Sequence, residues 1–276
     1  MAGDCRIHSL RIRTDDQAIL PRSVFLIEDA FRTASFACIP ANGQVFIKKL
    51  DLGGFPASVD SSFLSRRIDN LLRHLTPVRV KNDAPDQPDE DAVWFADALE
   101  PCRLLVQLLA GGRRPKALYW PVAVPGWSRH ATLSQSLQLI ISHLASQTSC
   151  LTGVAHVLEP LVERQVLLEA IEHFAPNQID RWLGGAGFDT TVTDMREVGL
   201  RATPAEIKSK GLDSRPVCNL PGSWSSILTK SLRIWRANDP RVWFIAYLGL
   251  SGSDHRTSPA RAREIIRDAI SLNRVA

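Results

Sequence analysis

The chain has 276 residues, 45% hydrophobic and 22% charged, with a formal net charge of +4. That length builds one large or two smaller domains with real cores, and the composition excludes a disordered or fibrous chain. The longest apolar run, Val242 to Leu250, has nine residues, against the roughly 20 that a membrane-crossing helix needs, so no membrane span is expected.

Five cysteines, Cys5, Cys38, Cys102, Cys150 and Cys218, form no C-x-x-C pair, which reads as reduced, mostly buried thiols rather than a zinc or redox site. The opening residues Met-Ala-Gly-Asp-Cys-Arg lack a basic segment followed by an apolar one, so the expected location is cytoplasmic. Charge is uneven along the chain. Lys81 to Glu100 carries seven carboxylates against one lysine, whereas Leu200 to Ala276 carries 13 Lys/Arg against six Asp/Glu. A basic surface of this kind suits an acidic protein, the chain's own acidic segment or nucleic acid. Because no known nucleic-acid module with interleaved aromatic and basic residues is present, nucleic acid is not the expected partner.

In chain order, Ile7, Leu10 and Ile12 among His8, Arg11 and Arg13 predict a short strand. Asp15 and Asp16 then offer an N-cap, Pro21 suits a first turn, and Val24, Ile27, Phe31 and Ala34 recur at helical spacing. Pro40-Ala-Asn-Gly43 signals a turn into a second strand, Val45 to Leu52, stopped by Gly53-Gly54 and Pro56. Asp60 or Ser61 caps a helix with an apolar stripe of Leu64, Ile68, Leu71, Leu72 and Leu75.

The expected architecture is α+β: a small N-terminal β-α-β-α unit over residues 1–80, an acidic, proline-containing linker over 81–91, and a mainly α-helical domain over 92–276 with a basic C-terminal part. Trp94 to Ala110 is expected as a helix ended by Gly111-Gly112. In the following Pro115 to Trp127 segment, prolines at 115, 121 and 125 argue against helix, and Tyr119, Trp120 and Trp127 fold over a core or form an interface. From Thr132 onward helices are expected. One stripe is Leu133, Leu137, Ile140, Ile141 and Leu144; another, Val154 to Leu168, bends near Pro160; a third helix starts at Pro176 and ends at Gly184-Gly185. Residues 186–221 are poorly periodic. Trp224, Ile227, Leu228 and Trp235 mark a further helix, Val242 to Leu250 is a buried strand or helix, and Ile265, Ile266, Ala269 and Ile270 mark the last.

No spacing assembles a reaction. Gly249-Leu-Ser251-Gly follows an apolar run as a nucleophile elbow would, but the one histidine after it, His255 beside Asp254, is too near in sequence to reach back. Gly184-Gly185-Ala-Gly187 and Gly111-Gly-Arg-Arg-Pro-Lys116 both end helices, where carbonyls rather than amides are free. His130, His143 and His156 do not share a helix face, and their spacing to Cys150 matches no usual zinc site. Glu169 and His173 suit a solvated surface pair.

The order strand, helix, Val45-Phe-Ile-Lys-Lys-Leu-Asp-Leu-Gly53, amphipathic helix resembles the N-terminal region of contractile injection system tape measure proteins, which accompany phage-tail-like particles. Their second strand reads Ile-Asp-x-Leu-x-Leu-Asp-Leu-Gly, and Lys49-Leu50-Asp51-Leu52-Gly53 is similar to its end. The chain departs from that pattern at Phe46 to Lys48, where the family's earlier Asp is absent. Leu108-Leu-Ala-Gly-Gly112 followed by Leu118-Tyr-Trp-Pro121 and Pro125-Gly-Trp127 is similar to a Gly-x-Leu-Pro-Trp-Trp type segment of the same family. The likeness covers the first 130 residues.

This resemblance implies a non-catalytic structural or assembly component whose partners are tube, sheath or baseplate proteins, with no cofactor and no metal. One unbroken helix of this length would span only about 400 Å, and its prolines and glycines forbid that helix, so an accessory factor is expected rather than a ruler. Trp120, Trp127, Trp224 and Trp235 are the expected interface anchors. The alternatives are an enzyme whose site is assembled from scattered residues, and an adaptor that binds protein or nucleic acid, the latter with affinity that falls steeply with salt.

Overall fold

A computed structural model describes residues 7–36, 43–56, 58–80, 86, 90–147, 151–188, 220–253 and 259–275. The chain forms two compact units, one of Met1–Glu100 with Lys116–Tyr119, the other of Pro101–Pro115 with Trp120–Ala276.

In the first unit a 3-10 turn, Gln17–Ile19, leads into helix α1 (Leu20–Thr33). Asp16 caps the turn by accepting the Ala18 N–H at 2.9 Å, and Pro21 lies in the first turn of α1, where its missing N–H costs nothing. Strand β1 (Gln44–Ile47), helix α2 (Ser61–His74), strand β2 (Val78–Arg79) and strand β3 (Ala92–Phe95) follow. The Asp60 carboxylate accepts the Phe63 N–H at 2.8 Å at the start of α2, satisfying one of the donors that a helix N-terminus leaves open. The predicted stripe is then buried: Leu64, Ile68 and Leu72 of α2 close on Ile27 and Ala30 of α1, with Leu50, Leu52, Phe55 and Leu75 packed around them.

The sheet order is β1-β3-β2. Strand β1 runs antiparallel to β3 with Gln44 opposite Phe95 and Ile47 opposite Ala92, while β2 runs parallel with Val78 opposite Val93. Edge-to-face rings join its strands and the Lys116–Tyr119 segment: Phe46 to Phe95 at 5.6 Å and Phe95 to Tyr119 at 5.8 Å.

The mainly helical α+β class is observed, but among the described residues the N-terminal order is α-β-α-β-β, not β-α-β-α. Residues 7–12 form no strand; Ile7 and Leu10 are each 42% exposed, so their alternation has no sheet to bury against. Strand β1 covers Gln44–Ile47 only, because the chain turns at Asp51–Gly53. Ala92–Phe95 is a strand rather than the start of a helix, so the first unit extends past the boundary expected at 80–91. Most of the predicted linker, and the Pro40–Asn42 part of the predicted turn, lie outside the described residues.

The second unit is helical: α3 (Glu100–Ala110, joined to it from Pro101), α4 (Trp120–Ala123), α5 (Leu133–Gln147), α6 (Thr152–Glu163), α7 (Leu167–Glu172), α8 (Pro176–Gly185), α9 (Gly222–Ile234), α10 (Pro240–Ser253) and α11 (Pro259–Val275). Helix α4 is a single turn that the prolines were expected to prevent; Pro121 falls in its first turn, where proline is tolerated. Pro160 lies inside α6, and the single stripe expected over Val154 to Leu168 is divided at Gln165, whose φ of 61° follows the end of α6 and returns the Val166 N–H to the Leu161 carbonyl at 3.0 Å. Glycines end α3 and α8 as predicted. Gly112 at φ 68° and Gly187 at φ 76° let the next N–H reach back, Arg113 to Leu108 at 3.0 Å and Phe188 to Leu183 at 2.8 Å.

Helix α10 is the centre of this unit. It packs against α6, α8, α9 and α11, so Val242 to Leu250 are all buried and the segment carries no polar face. Each fully buried Val, Ile, Leu or Phe side chain there contributes about 1.5–3 kcal/mol of transfer free energy. The α9 face toward it carries Trp224, Ile227 and Leu228, and α11 contributes Ile266, Ala269 and Ile270. Residues 189–219, the least periodic stretch of sequence, lie outside the described residues.

Candidate functional site

The segment that carries the family resemblance, Lys49 to Gly53, folds as a tight turn between β1 and α2. The Asp51 carboxylate accepts the Gly53 N–H at 2.9 Å and lies 3.6 Å from the Lys49 ammonium. These two partners, the backbone bond first, hold its carboxyl below the ordinary value of 3.8. Gly53 has φ 64°, and a side chain there would run into the Arg67 guanidinium of α2. The motif therefore joins strand to helix: Asp51 shapes the turn while Leu50 and Leu52 pack on the Ile27–Leu72 core.

Other acids of the first unit also serve the main chain. Asp69 of α2 accepts the N–H groups of Ser35 at 3.0 Å and Phe36 at 3.3 Å, and so holds Phe36 at φ 47° just after α1. Asp86 accepts the Lys116 N–H at 2.8 Å and the Ala117 N–H at 2.9 Å. Glu100, only 6% exposed, accepts the Ala96 N–H through Oε2 and stands 3.6 Å from the Arg79 guanidinium through Oε1. That guanidinium lies 5.2 Å from the centre of the Trp94 ring. Asp97 accepts the Leu99 and Glu100 N–H groups, both at 2.8 Å, at the head of α3. These roles were not singled out from sequence, although Asp97-x-x-Glu100 has the spacing of a helix-capping pair.

In the second unit a shallow, open concavity of about 320 Å³ lies beside the start of α5, lined by Trp127, Ser128, His130, Gln135, Ser136 and Leu139 among others. Its polar atoms are joined to one another. The Trp127 indole N–H donates to Ser136 Oγ at 3.0 Å, and that hydroxyl donates to the Thr132 carbonyl at 2.8 Å. Thr132 and Gln135 cap α5 reciprocally: the Gln135 side chain accepts the Thr132 N–H at 2.9 Å, and Thr132 Oγ1 accepts the Gln135 N–H at 3.2 Å. His130 is exposed.

Three of the four predicted interface tryptophans are core residues. Trp120 is 0%, Trp127 4% and Trp224 5% exposed; their rings are already covered, which corrects their reading as surface anchors. Trp235 differs. It is half-buried directly after α9, with the Arg241 guanidinium 5.2 Å from its ring and Ile234 beside it in sequence 57% exposed.

The glycine and serine motifs have structural places. Gly249 and Ser251 are buried within α10, not at a strand-to-helix elbow. Gly249 lets the helices approach: a Cβ there would stand 3.0 Å from the Trp224 Cβ. His156 is exposed, His143 half-buried, and Glu169 and His173 both exposed, while Cys150, Asp254 and His255 lie outside the described residues. Among the described residues no three His, Cys, Asp or Glu side chains gather as metal ligands, and no helix is long and apolar enough to cross a membrane. Cys102 is a free, buried thiol that burial pushes up to about 12.

Fold and site together define a mainly helical α+β protein in which acidic side chains bond the main chain of turns and helix ends. Comparison with family models, characterised proteins and solved structures yields no match for the chain.

Proposed function

We propose that the protein is a non-catalytic structural or assembly component of a phage-tail-like contractile injection particle, related to its tape measure protein, with tube, sheath or baseplate proteins as partners. The observation that supports this reading is the Lys49–Gly53 turn. The residues of the resemblance join β1 to α2, and Asp51 has a structural part in the turn, accepting the Gly53 N–H and pairing with the Lys49 ammonium. The glycine-rich segments at 111–112 and 184–187 end helices in the same structural manner.

The partner surface is assigned to side chains that remain accessible. Ile234 and Trp235 lie side by side at the end of α9, with Arg241 against the indole, and this aromatic, arginine-supported composition is that of interface anchors. Trp120, Trp127 and Trp224 are left to the core.

Affinity capture of the tagged full chain from cells that make such a particle, read by mass spectrometry, tests the reading. Leu50→Asp, which puts a charge against the first unit's core, is the folding control. Recovery of tube, sheath or baseplate proteins with the wild type and not with the control is expected. Their absence, or recovery of metabolic enzymes or nucleic acid in their place, overturns the proposal.

A further inference from the structure

No further inference is drawn: the strongest candidate, the Arg263 guanidinium lying 5.4 Å from the Phe188 ring in the helical unit with its Nε enclosed, carries nothing because it is explained as packing of α11 on that ring and no second observation points to a ligand there.

Discussion

Replacing Gly249 with alanine sets two effects of opposite sign against each other. Inside a helix, Gly→Ala favours folding by about 1 kcal/mol, because alanine has less backbone freedom to lose. At Gly249 the new Cβ would meet Trp224 Cβ at 3.0 Å, Leu220 Cδ2 at 3.1 Å and Trp224 Cγ at 3.2 Å. A Cβ moves only with its backbone, so α9 itself must shift, and overpacking of this kind costs about 1–3 kcal/mol. The crowding wins, with a net loss of up to about 2 kcal/mol. Gly184 of α8 provides the contrast. It is exposed, with nothing within 4 Å of an added Cβ, so alanine there gains the propensity alone, about 1 kcal/mol. Both glycines belong to the helical unit, so one urea transition followed by circular dichroism and tryptophan fluorescence reads both. With a slope of about 2–3 kcal/mol per molar, a difference of about 1–3 kcal/mol separates the midpoints of Gly249→Ala and Gly184→Ala by roughly 0.3–1.5 M. A Gly249→Ala variant stabilised as much as Gly184→Ala would refute the close approach of α9 and α10.

Acid should weaken the first unit through its turn and cap carboxylates. Backbone N–H groups of Gly53 and Phe63 hold Asp51 and Asp60 below their ordinary 3.8; the folded value lies under the unfolded one, so their contribution is full above about pH 4 and lost as pH falls through the folded value. Melting temperature measured between about pH 5 and 3 should fall less steeply in the double variant Asp51→Asn/Asp60→Asn than in the wild type, and equal slopes would count against these bonds. Cys102, its thiol pushed up to about 12 by burial, should resist iodoacetamide in the native protein near pH 8 and react once urea unfolds the chain, as mapped by peptide mass spectrometry; fast native labelling would contradict its burial. Trp120→Ala should cost about 3–5 kcal/mol because the ring is wholly enclosed. Trp235→Ala should cost less than Trp120→Ala, about 1–2 kcal/mol for a half-buried ring and its Arg241 contact, yet reduce capture of particle proteins. Similar melting curves for the two variants would remove the distinction between core and surface tryptophans.

Long amphipathic segments with end signals were legible in the sequence. Helix α2 has its Asp60 cap and its Leu64, Ile68 and Leu72 stripe where the spacing put them, and the glycine ends of α3 and α8 take the positive φ that their sequences imply. Short apolar runs were not legible, because period alone does not separate a buried strand from a buried helix. Ala92–Phe95 merged with the pattern of the helix that follows it, while Val242–Leu250, enclosed by four helices, had no polar face to reveal its turn. The Ile7–Ile12 alternation failed for the opposite reason: it had the period of a strand but gained no sheet neighbour.

The tryptophans show why surface sites resist this reading. Indoles are common both in cores and at interfaces, and composition is silent about which. The Trp127–Ser136–Thr132 chain of hydrogen bonds depends on a fold that brings the Pro-rich segment onto α5, whereas Ile234–Trp235 stays accessible because it follows the end of a helix. The acids at 69 and 86 were hidden similarly, since their backbone partners are set by tertiary structure; the two capping pairs, Thr132 with Gln135 and Asp97 with Glu100, were the local signals available.

The most direct measurement is to delete the gene in cells that make a contractile particle and to count assembled particles, with their tube lengths, by negative-stain electron microscopy. Loss of intact particles or a shift in tube length, restored by the wild-type chain and not by Leu50→Asp, is the predicted result. Particles unchanged in number and length in the deletion strain would contradict a structural or assembly role.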